Sequence, residues 1–520
     1  MKLANYVMGD WVEGKGDGTA LVDPTTGEEV ARASSDGIDL GAALDYARDI
    51  GGPNLRKLSY GERAAALRAA ADAMAANRDA YFEIAQANSG NTQIDAMIDV
   101  DGGIGTLKFF ASIGKGLGDA KTLKDGVLEH LGKDENFRAT HVSVPLAGAA
   151  IHINAFNFPS WGLWEKAAVS LLSGVPVVAK PASATAHLSY QMVHDVVASG
   201  ALPDGALTLI CGPARDLLDH VTGFDAVAFT GSAETARALR SSQAVIANAP
   251  RFNIEADSLN SCVLGPDSGP GSAEFDLFVR EVAREMTVKA GQKCTAIRRA
   301  FVPAPVLDAV AQALEARLAK TVVGNPRSEG VTMGPIVNKT QQRSVLDGLK
   351  ALAAETVVVT GGDIDPVDAD ADTGCFVAPT LMRCDDPAGC HAVHEVEVFG
   401  PAATLMPYDA PADAFRLAGL GGGSLVASVF TADDNFASEA AIGLAPSHGR
   451  ILIIDESVGK SSTGHGIVMP MCVHGGPGRA GGGEELGGLR GLRFYHQRVA
   501  LQGRADRLEG LTQGAAELTV

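Results

Sequence analysis

Between residues 147 and 265 the sequence switches repeatedly between two periods. GAAIHIN, GVPVVAKP, ALTLICG, FDAVAFTGS and RFNIEAD are short, strongly apolar runs of strand length. Helix-length segments separate them, one after Pro159 and one reading HLSYQMVHDVVASG. Strands this apolar are buried on both faces, and helix-length crossovers suit parallel pairing. The alternation therefore predicts an α/β fold with a parallel sheet, and it disfavours an all-β sandwich or a helical bundle. A second α/β region runs from 266 to 470. FDLFVREVAREMTVKAG opens it as a helix, AFVPAPVLDAVAQALEARLAK adds a strand and a helix, and VVVTGG, LVASVF and GRILII are further strands.

The remaining segments frame these two regions. NYVMGDWVEG alternates about a turn at Gly9-Asp10. Helical spacing runs from Asp39 to Ile50, from Gly61 to Ser89 and from Asp95 to Gly114, with Leu67, Ala70, Ala71 and Met74 sharing one face. Residues 119–149 read as a protruding β-hairpin. GLRFYHQRVALQG alternates like an edge strand from about Phe494 to Leu501, and such a strand is expected to pair beyond its own domain, in an oligomer.

Charge and cysteine usage narrow the function classes. Lys+Arg 43 against Asp+Glu 62 leaves a net charge of −19, a poor surface for nucleic acid or anionic membrane. The seven cysteines are odd in number and irregularly spaced, which fits a reducing cytoplasm. The N-terminus lacks the apolar core of a secretory signal, and no run approaches the ~20 apolar residues of a membrane span.

A few residues stand where chemistry collects. Cys294, in VKAGQKCTAIRR, has Lys293, Arg298 and Arg299 close by in sequence, cations of the kind that stabilise a thiolate. Glu255 ends a strand and opens a polar loop, the position of catalytic groups in open α/β sheets. Asn157 precedes the helix that Pro159 enters, and its amide is a donor suited to an oxyanion. Lys180 closes a buried strand. Gly231-Ser232 joins a strand to a helix N-terminus, where backbone N–H groups can receive a phosphate. Each has a plainer reading taken singly: a buried thiol, a surface acid, a capping Asn, a snorkelling Lys, a simple turn. Gly476, Gly478 and Gly481 spell G-x-G-x-x-G but introduce no βαβ unit, so they read as a backbone turn near the site. Cys375, Cys384, Cys390, His391 and His394 contain no C-x₂₋₄-C pair, and no metal site is expected.

Together, in order, these motifs resemble the aldehyde dehydrogenase superfamily across nearly the whole chain: AFNFP with Asn157, KPAS with Lys180, FTGS with Gly231 and Ser232, IEADSLN with Glu255, GQKCTA with Cys294, and EVEVFGP with Glu397 and Phe399. INAFNFPSWGLWEKAA and VHGGPGRAGGGEELGGLR further resemble a branch of semialdehyde dehydrogenases that serve aerobic aromatic degradation through CoA thioesters. The resemblance implies a Rossmann-like cofactor domain (1–127 and 150–265), an α/β catalytic domain (266–470) and a small β oligomerisation element (128–149 and 490–520). It assigns Cys294 as nucleophile, Glu255 as general base and Asn157 as oxyanion donor. Lys180, Ser183, Gly231, Ser232, Glu397 and Phe399 become cofactor ligands, and Phe158, Glu165 and His474 line the substrate tunnel.

Departures from the family sharpen the expectation. Ser183 stands where many members carry a Glu that repels a 2′-phosphate, so the expected cofactor is NADP⁺, with NAD⁺ the alternative. His474 stands where many have Phe, and Glu165 where Trp is frequent, so the tunnel is expected to be polar. The expected reaction is oxidation of a CoA-linked semialdehyde, such as 3,4-dehydroadipyl-CoA semialdehyde, to the acid. The semialdehyde from oxepin-CoA ring opening, or an aldehyde without CoA, is the alternative. One group within the branch carries a C-terminal hydratase domain, which a chain closing at Val520 is expected to lack. A cytoplasmic homo-oligomer, dimer or tetramer, is expected.

Overall fold

The five apolar runs become the strands Ala150–Ile153, Val177–Lys180, Leu207–Leu209, Ala226–Thr230 and Arg251–Glu255 in a computed structural model that describes residues 1–518. Thr519 and Val520, the end of the expected 490–520 element, lie outside the described residues. All five strands are parallel. Their spatial order is Arg251–Glu255, Ala226–Thr230, Ala150–Ile153, Val177–Lys180, Leu207–Leu209. The chain starts at the centre, walks to one edge, then returns to build the other half. The order thus reverses between Ala150–Ile153 and Ala226–Thr230, and such a reversal opens a crevice at the strands' carboxyl ends. Asn157 and Gly231 follow those two ends. Lys2–Val7, Glu29–Ala33 and Thr19–Val22 extend the sheet past Leu207–Leu209, and Asp10–Glu13 pairs with Lys2–Val7 through the expected hairpin.

A seven-stranded sheet forms the second region, in the order Val357–Thr360, Thr380–Arg383, Ala402–Tyr408, Arg299–Pro303, Ser261–Leu264, Ser424–Phe430, His448–Ile454. Only Val357–Thr360 runs antiparallel. Ser261–Leu264 sits in the interior of this sheet, so the change of sheet falls between Glu255 and Ser261, ahead of the expected boundary at 265. SCVL is a four-residue strand, too short to show a period of its own.

Local signals explain the helices. Tyr60–Ala76 begins with a capping box in which Ser59 and Glu62 satisfy each other's backbone N–H groups. Leu67, Ala70, Ala71 and Met74 are all buried on its inner face. Trp161–Ser173 is apolar nearly all round and is buried over most of its length, yet it carries Glu165 and Lys166. Among the described residues no helix is long and apolar enough to cross a membrane.

The 119–149 segment is the hairpin Leu123–His130 and Phe137–Pro145. The closing strand is His496–Arg504, two residues later than expected, because Phe494 and Tyr495 end the 3₁₀ turn Gly488–Tyr495. It pairs with the hairpin of its own chain over nine residues, from His496 opposite Pro145 to Arg504 opposite Phe137. The resulting four-stranded sheet places His496–Arg504 at one edge, with its outer side unpaired among the described residues.

Candidate active site

Cys294 sits on a tightly specified turn. Lys289, Ala290 and Gly291 take successive φ values of 54°, 51° and 69°, a left-handed run that costs non-glycine residues energy unless their surroundings hold them. At Gly291 a Cβ would lie 2.1 Å from the Gly400 carbonyl oxygen, so only glycine fits. The holding groups are buried and polar. Lys289 N–H donates to Asp95 Oδ1 (2.8 Å), and Asn260 Nδ2 donates to the Cys294 carbonyl (2.7 Å). Arg298 donates to the carbonyls of Gly291, Lys293 and Gly400.

These contacts correct the expected source of thiolate stabilisation. Arg298 is spent on carbonyls. Arg299 binds Leu259, Leu417 and Ala418 carbonyls and His394, and Lys293 forms a buried ion pair with Glu285 (2.7 Å). Acidic groups surround the thiol instead. Burial pushes Cys294 well above the usual thiol range, and Glu255, Glu165 and Glu397 push it further. A neighbouring group would have to accept the thiol proton before the sulfur could act as a nucleophile.

A carboxylate that could accept it is adjacent. Cys294, Glu255 and His474 each bring a polar atom within 4.8 Å of the other two. They share a cavity with Asn157, Phe158, Trp161, Glu165, Thr295 and Val468. Six expected residues, Asn157, Phe158, Glu165, Glu255, Cys294 and His474, thus meet around one space. Glu255 is 2% exposed, its Oε2 lies 3.2 Å from His474 Nε2, and its Oε1 has no hydrogen-bond partner. Burial favours the neutral carboxyl, but His474 and, more weakly, Lys166 overcome it and hold Glu255 at about 2. Burial lifts Glu165 to about 7, with Lys166 opposing and Glu485 adding to the rise.

The glycine-rich segment is a turn beside Glu255. Gly481 has φ 108°, and a Cβ there would lie 2.3 Å from the Ile254 carbonyl oxygen, one residue before Glu255. Ala256 N–H donates to the Ala480 carbonyl (3.0 Å), closing the contact.

The expected cofactor residues are not among those lining that cavity. Lys180 ends the strand beside Ala150–Ile153 and makes no ion pair among the described residues; burial lowers its pKa, and no carboxylate contributes to its shift. Ser183 opens a short 3₁₀ turn three residues on. Glu397 has its Oε1 buried and unpartnered, and burial raises it to about 7. Phe399 packs edge-on against Phe156 (5.6 Å) with Arg298 over its ring (5.7 Å). An orphaned acceptor and an unpaired cation suit the hydroxyls and phosphates of a dinucleotide. The Gly231-Ser232 turn is less open than expected. Gly231 N–H donates to the Glu255 carbonyl, Ala233 N–H to Asp257, and Thr235 N–H to the Ser232 side chain.

Two residues of the site escaped the sequence reading. Lys166 is 3% exposed and reaches Glu165 at 3.2 Å and Glu485 at 2.8 Å. The signal for Lys166 was present: WGLWEKAAVSLLS sets adjacent charges in an apolar helix, and a buried charge requires a partner. Nothing local pointed to Glu485.

Comparison with known proteins gives a consistent result. The family model described as "Aldehyde dehydrogenase family" matches residues 11–498. The 3,4-dehydroadipyl-CoA semialdehyde dehydrogenase of Aromatoleum evansii is 56% identical over 479 residues, 92% of this chain and 93% of that protein. The alpha-ketoglutaric semialdehyde dehydrogenase of Bacillus subtilis is 27% identical over 82% of this chain and 85% of its own. The crystal structure of betaine aldehyde dehydrogenase from Staphylococcus aureus in complex with NAD⁺ superposes with a TM-score of 0.84 at 24% identity, covering 97% of this chain and 95% of that one.

Proposed function

The chain belongs to the aldehyde dehydrogenase family, and from that footing we propose that it oxidises a CoA-linked semialdehyde to the carboxylic acid with NADP⁺. The observation that carries the chemistry is the convergence of Cys294, Glu255 and Asn157 on one cavity. The 56% identity to a dehydroadipyl-CoA semialdehyde dehydrogenase supports the substrate class. A cavity wall carrying Glu165 and His474 suits a polar substrate better than an aliphatic one.

Each residue has a distinct task. Cys294 Sγ adds to the aldehyde carbon while its proton passes to Glu255, whose Oε1 is free to accept it. The Asn157 amide donates to the oxygen that becomes negative. Lys180, Ser183, Glu397 and Phe399 would hold a nicotinamide dinucleotide, which would supply the hydride acceptor for oxidation of the Cys294 adduct to a thioester. Glu255, having released the first proton to solvent, then takes a proton from the water that attacks this thioester and passes it to the departing sulfur, which frees the acid and the thiol. Transfer of the acyl group to a thiol would need no such base, and Glu255 beside Cys294 favours hydrolysis.

Ser183 supports the choice of NADP⁺. A 2′-phosphate carries about −1.5 to −2 charges, by analogy with other phosphomonoesters, and a carboxylate beside it would repel it. Here a hydroxyl and the Lys180 ammonium are offered instead. The test is kcat/KM for a CoA-linked semialdehyde and for the same aldehyde without CoA, with each cofactor, in the wild type and Ser183→Glu. The CoA-linked substrate is expected to be better by about tenfold or more, a difference of about 1.4 kcal/mol. Ser183→Glu is expected to depress the NADP⁺ value far more than the NAD⁺ value. Equal use of both aldehydes would overturn the substrate class, and a tenfold wild-type preference for NAD⁺ the cofactor.

The reading includes a cytoplasmic homo-oligomer. Seven cysteines, none in a disulfide, support a reducing compartment. The unpaired outer edge of His496–Arg504 supports assembly through the hairpin sheet. Deleting residues 496–520 is expected to yield monomers or aggregates in light scattering. A truncated particle with the subunit number of the full-length protein would rule that edge out.

A further inference from the structure

Around Glu255 the charges are buried and unequal in number. Glu165 and Lys166 come from the helix Trp161–Ser173, His474 from Val473–Gly475, Glu485 from Glu484–Leu486, and the Cys294 thiol from the turn described above. Two potential cations therefore face three carboxylates and a thiol. Lys166 lies 2.8 Å from Glu485 and 3.2 Å from Glu165. Its influence on Glu255 is weaker than that of His474, at 3.2 Å. Glu165, lifted to about 7, is the carboxyl left to carry a proton near neutral pH.

His474 is held in place as firmly as the residue it faces. It stands directly opposite Glu485 in the two-stranded ladder Val473–Gly475/Glu484–Leu486. Asn253, two residues before Glu255, clamps that ladder from both sides of its amide. Its Nδ2 donates to Glu485 Oε1 (3.0 Å), and its Oδ1 accepts from Glu484 N–H (2.9 Å). The base and the imidazole are thus tied through one short piece of backbone.

We propose that His474 is a positioning residue for the base: its imidazolium compensates the buried Glu255 carboxylate, keeps it ionised and occupies Oε2, so that Oε1 stays available for the proton of Cys294 and then of water. This rests on the assignment of Glu255 as base. The sign of the pH effect follows. With His474 in place Glu255 is held below its ordinary range and stays ionised at neutral pH. Without the imidazolium, burial favours the protonated carboxyl, and only Lys166 and the Cys294 thiol oppose it. A protonated Glu255 cannot act as base, so an acid limb appears in kcat.

The test is the pH profile of kcat from pH 5 to 9 for the wild type, His474→Gln, His474→Lys and Glu255→Gln. His474→Gln is expected to bring an acid limb into this window, centred about one unit above pH 5, so that kcat at pH 5 falls about tenfold relative to the wild type. KM for the cofactor should stay within a few-fold, and His474→Lys should return the limb toward its wild-type position. A His474→Gln profile parallel to the wild type, or a loss confined to KM, overturns the proposal. Wild-type turnover in Glu255→Gln would instead overturn the base assignment itself. Circular dichroism and cofactor affinity verify folding on the same samples, and His474→Asn replaces the glutamine variant if that variant unfolds.

Discussion

Replacing Cys294 by alanine is expected to abolish aldehyde oxidation while the fold and cofactor affinity persist. The sulfur forms the bond on which every later step depends, and removing a nucleophile of this kind costs about 10⁴-fold or more in kcat. The fold has little to lose. Cys294 is half-buried, and its turn is held through backbone groups whose partners are Asp95, Asn260 and Arg298, none of which uses the sulfur. A change of about 1 kcal/mol or less in stability is the expectation for so small a truncation. Reduced-cofactor absorbance and a thermal melt on the same preparation check both halves. Turnover above about one per cent of the wild type, a loss far short of that expected for a missing nucleophile, would remove Cys294 from the role.

Glu255→Gln is expected to separate the two halves of the reaction. Glutamine keeps the shape but accepts no proton, so hydrolysis of the Cys294 thioester should slow by about 10²–10⁴-fold. The first half should survive better. Burial and then the Glu255 carboxylate are the leading reasons the thiol is hard to ionise. Removing that negative charge makes the thiolate easier to form even as the proton acceptor is lost. The expected record is a burst of about one equivalent of reduced cofactor, then a stall, with an acyl-enzyme visible by intact mass spectrometry. Unchanged steady-state turnover would make Glu255 a structural residue.

Much of this site was legible from local sequence because its parts sit at ends of regular elements. Asn157, Lys180, Gly231 and Glu255 each close a parallel strand or follow one closely, and the apolar runs that mark those strands are visible without any partner. The topology then has to bring the ends together, since parallel strands share a carboxyl edge. Cys294 was legible as a residue but not in its electrostatics. Three cations close to it in sequence suggested a stabilised thiolate, whereas the fold turns all three toward carbonyls, His394 or Glu285.

The sequence by itself determined the α/β class, the hairpin at 119–149, the order of the motifs and the identity of six residues that line the cavity. Each of those is a property of a short window, a period of two or 3.6, a turn, or a side-chain type at the end of a run, except Phe158, Glu165 and His474, which the family resemblance supplied. Only the tertiary structure decided that Ser261–Leu264 lies inside the second sheet, that His496–Arg504 pairs first with its own chain's hairpin, and that His474, Lys166 and Glu485 surround the base. The His496–Arg504 pairing, His474 with Glu255 and Lys166 with Glu485 each join residues more than two hundred positions apart. Their energies depend on distance and on the exclusion of water, and both come into being only when the chain has closed around them.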